Sequence, residues 1–181
     1  CSIGRMKDLL FSSDEAERGF LSRVQVRLVR GESEQAQWNA QMEQKHYLKS
    51  SRMVGEQLCY VAEVDGQGVA LLGWSAASYH LRPREAWIGW SDEQRRQRLA
   101  LAANNARFLV LEPGRWPNLA SRVLALCLAR LPQDWQAQYG HTILVVESFV
   151  DSQIFRGTCY KANGWEALGQ TAGFERVAED F

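Results

Sequence analysis

Two apolar runs broken by one short polar stretch, QLCYVAEVDGQGVALLGWSA, constrain this chain more than any other segment. Both runs are rich in β-formers, and the glycines of Asp65-Gly66-Gln67-Gly68 between them accept positive φ, so the segment reads as a β-hairpin. A hairpin alone is marginal in water and needs a larger sheet to join. Partners are at hand. VQVRLV (Val24 to Val29) alternates as a half-buried strand should, whereas ARFLVLE (Ala106 to Glu112) and TILVVESFV read as buried ones.

Helical patterns separate these strands. EQAQWNAQMEQKHYL puts Trp38 and Met42 near helical spacing. After a loop around Pro83 and the run AWIGW comes SDEQRRQRLALAANN, where Ser91 with Gln94 forms a capping box. LASRVLALCLARL is an apolar-rich helix entered through Pro117-Asn118. FRGTCYKANGWEALGQT reads as a short helix stopped at Asn163-Gly164, followed by a last strand opened by Trp165. The order is strand, helix, hairpin, helix, strand, helix, strand, helix, strand. That order predicts an α/β (α+β) fold with a mixed sheet and helices on both faces.

Composition enters as a filter. The chain has 181 residues, 46% of them hydrophobic, with 21 basic and 21 acidic side chains. It is long enough for one domain with a core, and a net charge of zero leaves only local patches for contact with nucleic acid. No CxxC spacing joins Cys1, Cys59, Cys127 and Cys159, which argues against a zinc ribbon or thioredoxin-like centre. No apolar run approaches the roughly 18 residues of a membrane span, so the expectation is a cytoplasmic protein with reduced thiols and no membrane partner.

The succession resembles the GNAT acetyltransferase fold, whose members carry Tyr-x-x-x-Gly-aromatic before a strand; here it is Tyr160 to Trp165. HYLKS, ALLGWSAAS, WIGW, RFLVLE, PNLASRVL, VESFVD and FRGTCYKANGW, in that order, resemble the Druantia DruA family over about residues 22 to 181. Its members occur in a bacterial anti-phage system, and relatives stand beside or fused to transposases. The resemblance implies an N-terminal extension over 1–21, a GNAT-like domain over 22–181, and a fragment of a longer protein missing the last C-terminal strand.

Candidate residues follow. In GNAT enzymes a helix N-terminus cradles the pyrophosphate of acetyl-CoA on backbone N–H groups. The equivalent cofactor-binding set is Arg115, Asn118, Ala120 and Ser121, but Asn118 replaces a glycine and Pro117 lacks a donor, so ordinary acetyl-CoA use is not expected. The catalytic candidates are His46, Tyr47, Glu147, Asp151 and Tyr160: an imidazole able to titrate near neutrality, carboxylates at a strand's carboxyl end, and a phenol placed as GNAT proton donors are. His46 with Asp151 is the candidate metal pair, with iron as the metal. Lys49, Arg52, Arg95, Arg96 and Arg98 are candidate phosphate contacts, and Trp116 a candidate stacking partner for a base. The expected function is a nucleic-acid-acting component of phage defence or of a mobile element, acting as a GNAT-like DNA-modifying transferase. The alternatives are a non-catalytic DNA- or protein-binding module for a helicase or transposase, and an acyl-CoA-dependent acyltransferase.

Overall fold

A computed structural model describes residues 14–170. Five strands form one open sheet in chain order: β1 (Gln25–Leu28), β2 (Gln57–Val64), β3 (Gln67–Ala76), β4 (Ala102–Val110) and β5 (Val145–Glu147). The first four are antiparallel neighbours, and β5 runs parallel to β4. The hairpin forms as expected. Asp65 and Gly66 both take positive φ, 52° and 80°, the geometry a two-residue turn between twisted strands requires.

Helices cover both faces. A first helix, α1, spans 14–22; α2 is Gly31–Lys45, α3 Arg82–Ile88, α4 Asp92–Arg98, α5 Leu119–Tyr139 and α6 Thr158–Ala162. Period-two alternation sorts the sheet's side chains. Leu58, Tyr60, Ala62 and Val64 of β2, with Ala70, Leu72 and Trp74 of β3, pack against Leu119, Val123, Leu124, Cys127, Leu131 and Trp135 of α5. Leu71 with the half-buried Cys59 and Val61 faces the other way, onto Trp38 and Met42 of α2. The mixed sheet with two covered faces is the expected fold.

Several local expectations are corrected. Pro83 lies in the first turn of α3, a position that loses no helical hydrogen bond, and not in a loop. The helix capped by Ser91 makes both bonds of its capping box but ends at Arg98; LALAANN becomes a 3-10 turn and the start of β4. α5 runs through Pro132 to Tyr139 because Leu131 and Trp135 continue its buried stripe. TILVVESFV pairs only over Val145–Glu147. No strand forms at residues 165–170: Trp165 turns inward beside Tyr160 and Trp74, with ring centroids 4.9 and 6.5 Å away.

Two features of β4 shape the site. Gly73 pairs with Arg107 and Trp74 with Asn105, which leaves Ala106 as the extra residue of a β-bulge. The bulge also shifts the side-chain parity: Ala103 faces α5 before it, and Phe108 and Val110 after it. The parallel ladder with β5 ends at the pair Asn104–Glu147, while β4 continues to Val110. The two strands therefore part at their carboxyl ends.

Candidate functional site

A cleft of about 290 Å³ fills the gap where β4 and β5 part. Because the gap passes through the sheet, it draws residues from both layers. His46 and Tyr47 come from the end of α2, Pro117, Ala120 and Ser121 from the start of α5, and Tyr160 from α6. Asn105, Ala106 and Phe108 of β4 and Ser148, Phe149 and Val150 after β5 line the two sides, and Phe155 to Cys159 complete the wall. The loop carrying His46 is held to β4 by Arg107, whose guanidinium donates to the carbonyls of Ser50 (2.7 Å) and Arg52 (2.6 Å).

The floor is a hydrogen-bonded unit. The Tyr160 hydroxyl donates to Asn105 Oδ1 at 2.7 Å, and the Ser148 hydroxyl lies 3.1 Å from both Tyr160 Oη and the Asn105 carbonyl. Asn105 Nδ2 in turn donates to the carbonyls of Gly73 and Arg107, the cross-strand pair next to the bulge. Burial raises the Tyr160 phenol above the ordinary tyrosine range, opposed by the Ser148 bond and assisted by Cys159 and Tyr47. It is a neutral donor at physiological pH.

His46 is 3% exposed, and its ring packs on Tyr47 at 4.6 Å. Its Nδ1 accepts from the Leu48 N–H at 3.2 Å. Desolvation, with the Arg107 charge adding to it, lowers the imidazole to about 4. The folded state thus binds a proton less readily than the unfolded chain. Stability linked to His46 is complete above about pH 6.5 and is lost as pH falls toward 4. At pH 5 the loss should be about 2 kcal/mol. Denaturant titrations at pH 7 and pH 5 check this; His46→Gln should remove the difference, and an equal pH dependence in that variant would refute the assignment.

The remaining candidates separate. Glu147 is outside the cleft: its carboxylate receives Arg84 Nη1 at 2.7 Å and the Ser78 N–H at 2.9 Å. Asp151 does not line the cleft; it caps the following turn by accepting the Gln153 N–H, while its charge raises the Tyr47 phenol after desolvation. His46 and Asp151 gain no further donor, since no group of three or more His, Cys, Asp or Glu side chains suited to a metal occurs among the described residues. This donor set does not fit an iron site. Arg95 is buried between Asp92 and Glu85, and Arg96 and Arg98 are exposed but not at the cleft. Lys49 Nζ donates to the Gln44 carbonyl, and Arg52 lines a second groove beside Trp38 and Cys59. Trp116 has Phe20 stacked 4.5 Å away and the Arg115 guanidinium over its ring, while Arg115 also pairs with Glu112.

The N-terminus of α5 bears on acetyl-CoA. Glu17 of α1 accepts from the Asn118 backbone N–H at 3.0 Å and from Asn118 Nδ2 at 3.2 Å. The Leu119 N–H is bonded to the Trp116 carbonyl, and Pro117 has no N–H to offer. An internal carboxylate thus holds a position where a pyrophosphate would need a donor, and the residues present do not fit that group.

Sequence reasoning did not reach Glu17, Asn105, Ser148, Phe149, Phe155 or Arg156. The only signal for Asn105 is a polar pair, Asn104-Asn105, leading into an apolar strand. Among known families, the model described as "Druantia protein DruA" matches residues 11–178, nearly the whole chain. No curated protein matches it. No helix among the described residues is long and apolar enough to cross a membrane.

Proposed function

The chain belongs to the Druantia protein DruA family, and from that premise, which suggests a role in anti-phage defence, we propose that it acts at nucleic acid as a recognition module through the cleft between β4 and β5. The observation that carries this reading is the convergence of His46, Tyr47, Ser121 and Tyr160 in one aromatic-walled cleft where a parallel pair of strands parts. Ligands gather at the carboxyl ends of strands in open α/β sheets. Fold alone does not assign an activity.

Two pKa directions favour recognition over proton transfer. An efficient acid or base has a pKa near the working pH, whereas His46 is shifted down and Tyr160 up. Both are neutral hydrogen-bonding groups near pH 7. The transferase reading rests on the position of Tyr160 alone. The acyltransferase reading is opposed by Glu17, and calorimetry with acetyl-CoA should give no saturable heat in the low-micromolar range. A helicase or another protein of the defence system is the proposed partner, or a transposase in mobile elements.

Ser121→Trp tests the site by filling the cleft without touching the Asn105 network. In cells carrying the complete defence system, protection should fall to the level of cells lacking it, while the melting temperature of the purified chain stays within a few degrees of wild type. Unchanged protection would move the working site elsewhere. Nucleoside mass spectrometry of DNA from protected cells adds a check on chemistry: a modified base dependent on Tyr160 would replace the recognition reading with the transferase one.

A further inference from the structure

We infer that the ligand of this cleft is an unpaired nucleotide, stacked on Tyr47 and Phe155 with Arg156 against its phosphate, and held without readout of the base edge. The inference rests on the nucleic-acid reading above and narrows it.

The rim supplies the first argument. Tyr47, Phe149 and Phe155 are 38%, 42% and 47% exposed, and Tyr47 meets Phe155 edge-on at 5.3 Å. They come from segments about a hundred residues apart in sequence and stand together on one concave surface. A planar, partly polar ring suits such a surface, because base stacking on aromatic side chains contributes about 1–3 kcal/mol per base and tolerates any base. The cleft is a half-open, concave gap where two strands part, a shape that accepts an inserted ring.

The floor supplies the second. Reading a base edge requires donors and acceptors left free in a fixed geometry, as in a bidentate amide. The one amide here is fully engaged: Asn105 Oδ1 accepts from Tyr160, and its Nδ2 bonds to two carbonyls. The Tyr160 hydroxyl already donates its hydrogen bond to Asn105, and His46 Nδ1 is held by the Leu48 N–H. Ser121 and Thr158 bring single hydroxyls, which rotate between donor and acceptor and discriminate little.

Charge supplies the third. Arg156 is the cation lining the cleft, exposed and without a salt bridge among the described residues. Lys49 and Arg52 follow Tyr47 on its loop but stand outside the cleft, Lys49 bonded to the Gln44 carbonyl and Arg52 on the second groove. A single phosphate contact from Arg156 predicts a shallow salt dependence, a slope of about −1 in log K against log salt. So weak a backbone grip does not offset the few kcal/mol needed to flip a base from a duplex. Single strands are the favoured form, and the shared ligand chemistry covers both DNA and RNA.

Fluorescence anisotropy with the full chain tests this, using a labelled mixed-sequence DNA strand, its RNA counterpart, the DNA duplex and homopolymer strands. One or both single strands should bind about tenfold or more tighter than duplex, and homopolymers of each base should agree within a few-fold. Phe155→Ala should weaken single-strand binding about tenfold, Phe155→Trp should retain it, and Arg156→Ala should reduce the salt slope by about one. The DNA and RNA arms identify which strand is preferred. Equal binding of duplex with no effect of Phe155→Ala would overturn the inference and leave the nucleic-acid reading standing. Binding of no nucleic acid at all would overturn both. A Phe155→Ala protein that melts at the wild-type temperature excludes misfolding as the cause, as expected for an exposed ring.

Discussion

Glu147→Ala should destabilise the chain by about 3–5 kcal/mol, the range for removing one partner of a buried ion pair. The side chains of Arg84 and Glu147 are 2% and 8% exposed and meet at 2.7 Å, and they join α3 to the last paired residue of β5. Without Glu147 the guanidinium keeps only the Glu85 carboxylate at 3.5 Å, and its Nε and Nη2 already lack hydrogen bonds. The charge remains buried, so the loss exceeds the value of one hydrogen bond. In a chain of this length the melting temperature should fall by roughly 10 °C. The double variant Arg84→Met with Glu147→Leu should recover most of it, because an apolar pair needs no desolvation. A wild-type melting temperature for Glu147→Ala would refute the structural role and return Glu147 to consideration as a catalytic acid.

That ion pair also shows where sequence reading reaches its limit. Glu147 at a strand's carboxyl end has the character of a site residue, and nothing local announces Arg84, 63 positions earlier. Glu17 and Asn118, 101 positions apart, are the same case. Arg95 stands in a run of charges that reads as a set of phosphate contacts, yet tertiary packing buries it over Tyr79 at 5.2 Å. What was legible rested on short-range chemistry: the Asp65-Gly66 turn, the Ser91–Gln94 capping box, and the period-two runs of β2 and β3. The errors came where long-range pairing overrode local propensity. LALAANN has helical composition, but Ala103, Asn104 and Asn105 pair with β3, and the Leu101 carbonyl accepts from Leu144. Of the site, His46, Tyr47, Ser121 and Tyr160 were reachable from the family resemblance. Phe155 and Arg156 were not, since an exposed loop carries no periodicity to mark it.

Asn105→Ala should cost at least about 3 kcal/mol and should open the cleft, whereas Tyr160→Phe should cost about 1 kcal/mol and leave protection against phage intact. The difference follows from how many buried groups each change strands. Asn105 is 4% exposed and satisfies the Tyr160 hydroxyl and the carbonyls of Gly73 and Arg107; losing its amide leaves all three without that partner, at about 1–3 kcal/mol each when unrelieved. The two carbonyls belong to the cross-strand pair Gly73–Arg107 next to the bulge at Ala106, so the same amide ties the bulged strand to β3. Tyr160→Phe removes one donor, keeps the ring against Trp165, and leaves the Ser148 hydroxyl bonded to the Asn105 carbonyl. The pair separates two roles for Tyr160. If its hydroxyl holds the floor of the cleft, defence should track thermal stability across both variants, with Asn105→Ala inactive and Tyr160→Phe active. If Tyr160→Phe melts near the wild-type temperature yet abolishes defence, the hydroxyl acts on the ligand itself, and the cleft is a centre of chemistry rather than of recognition.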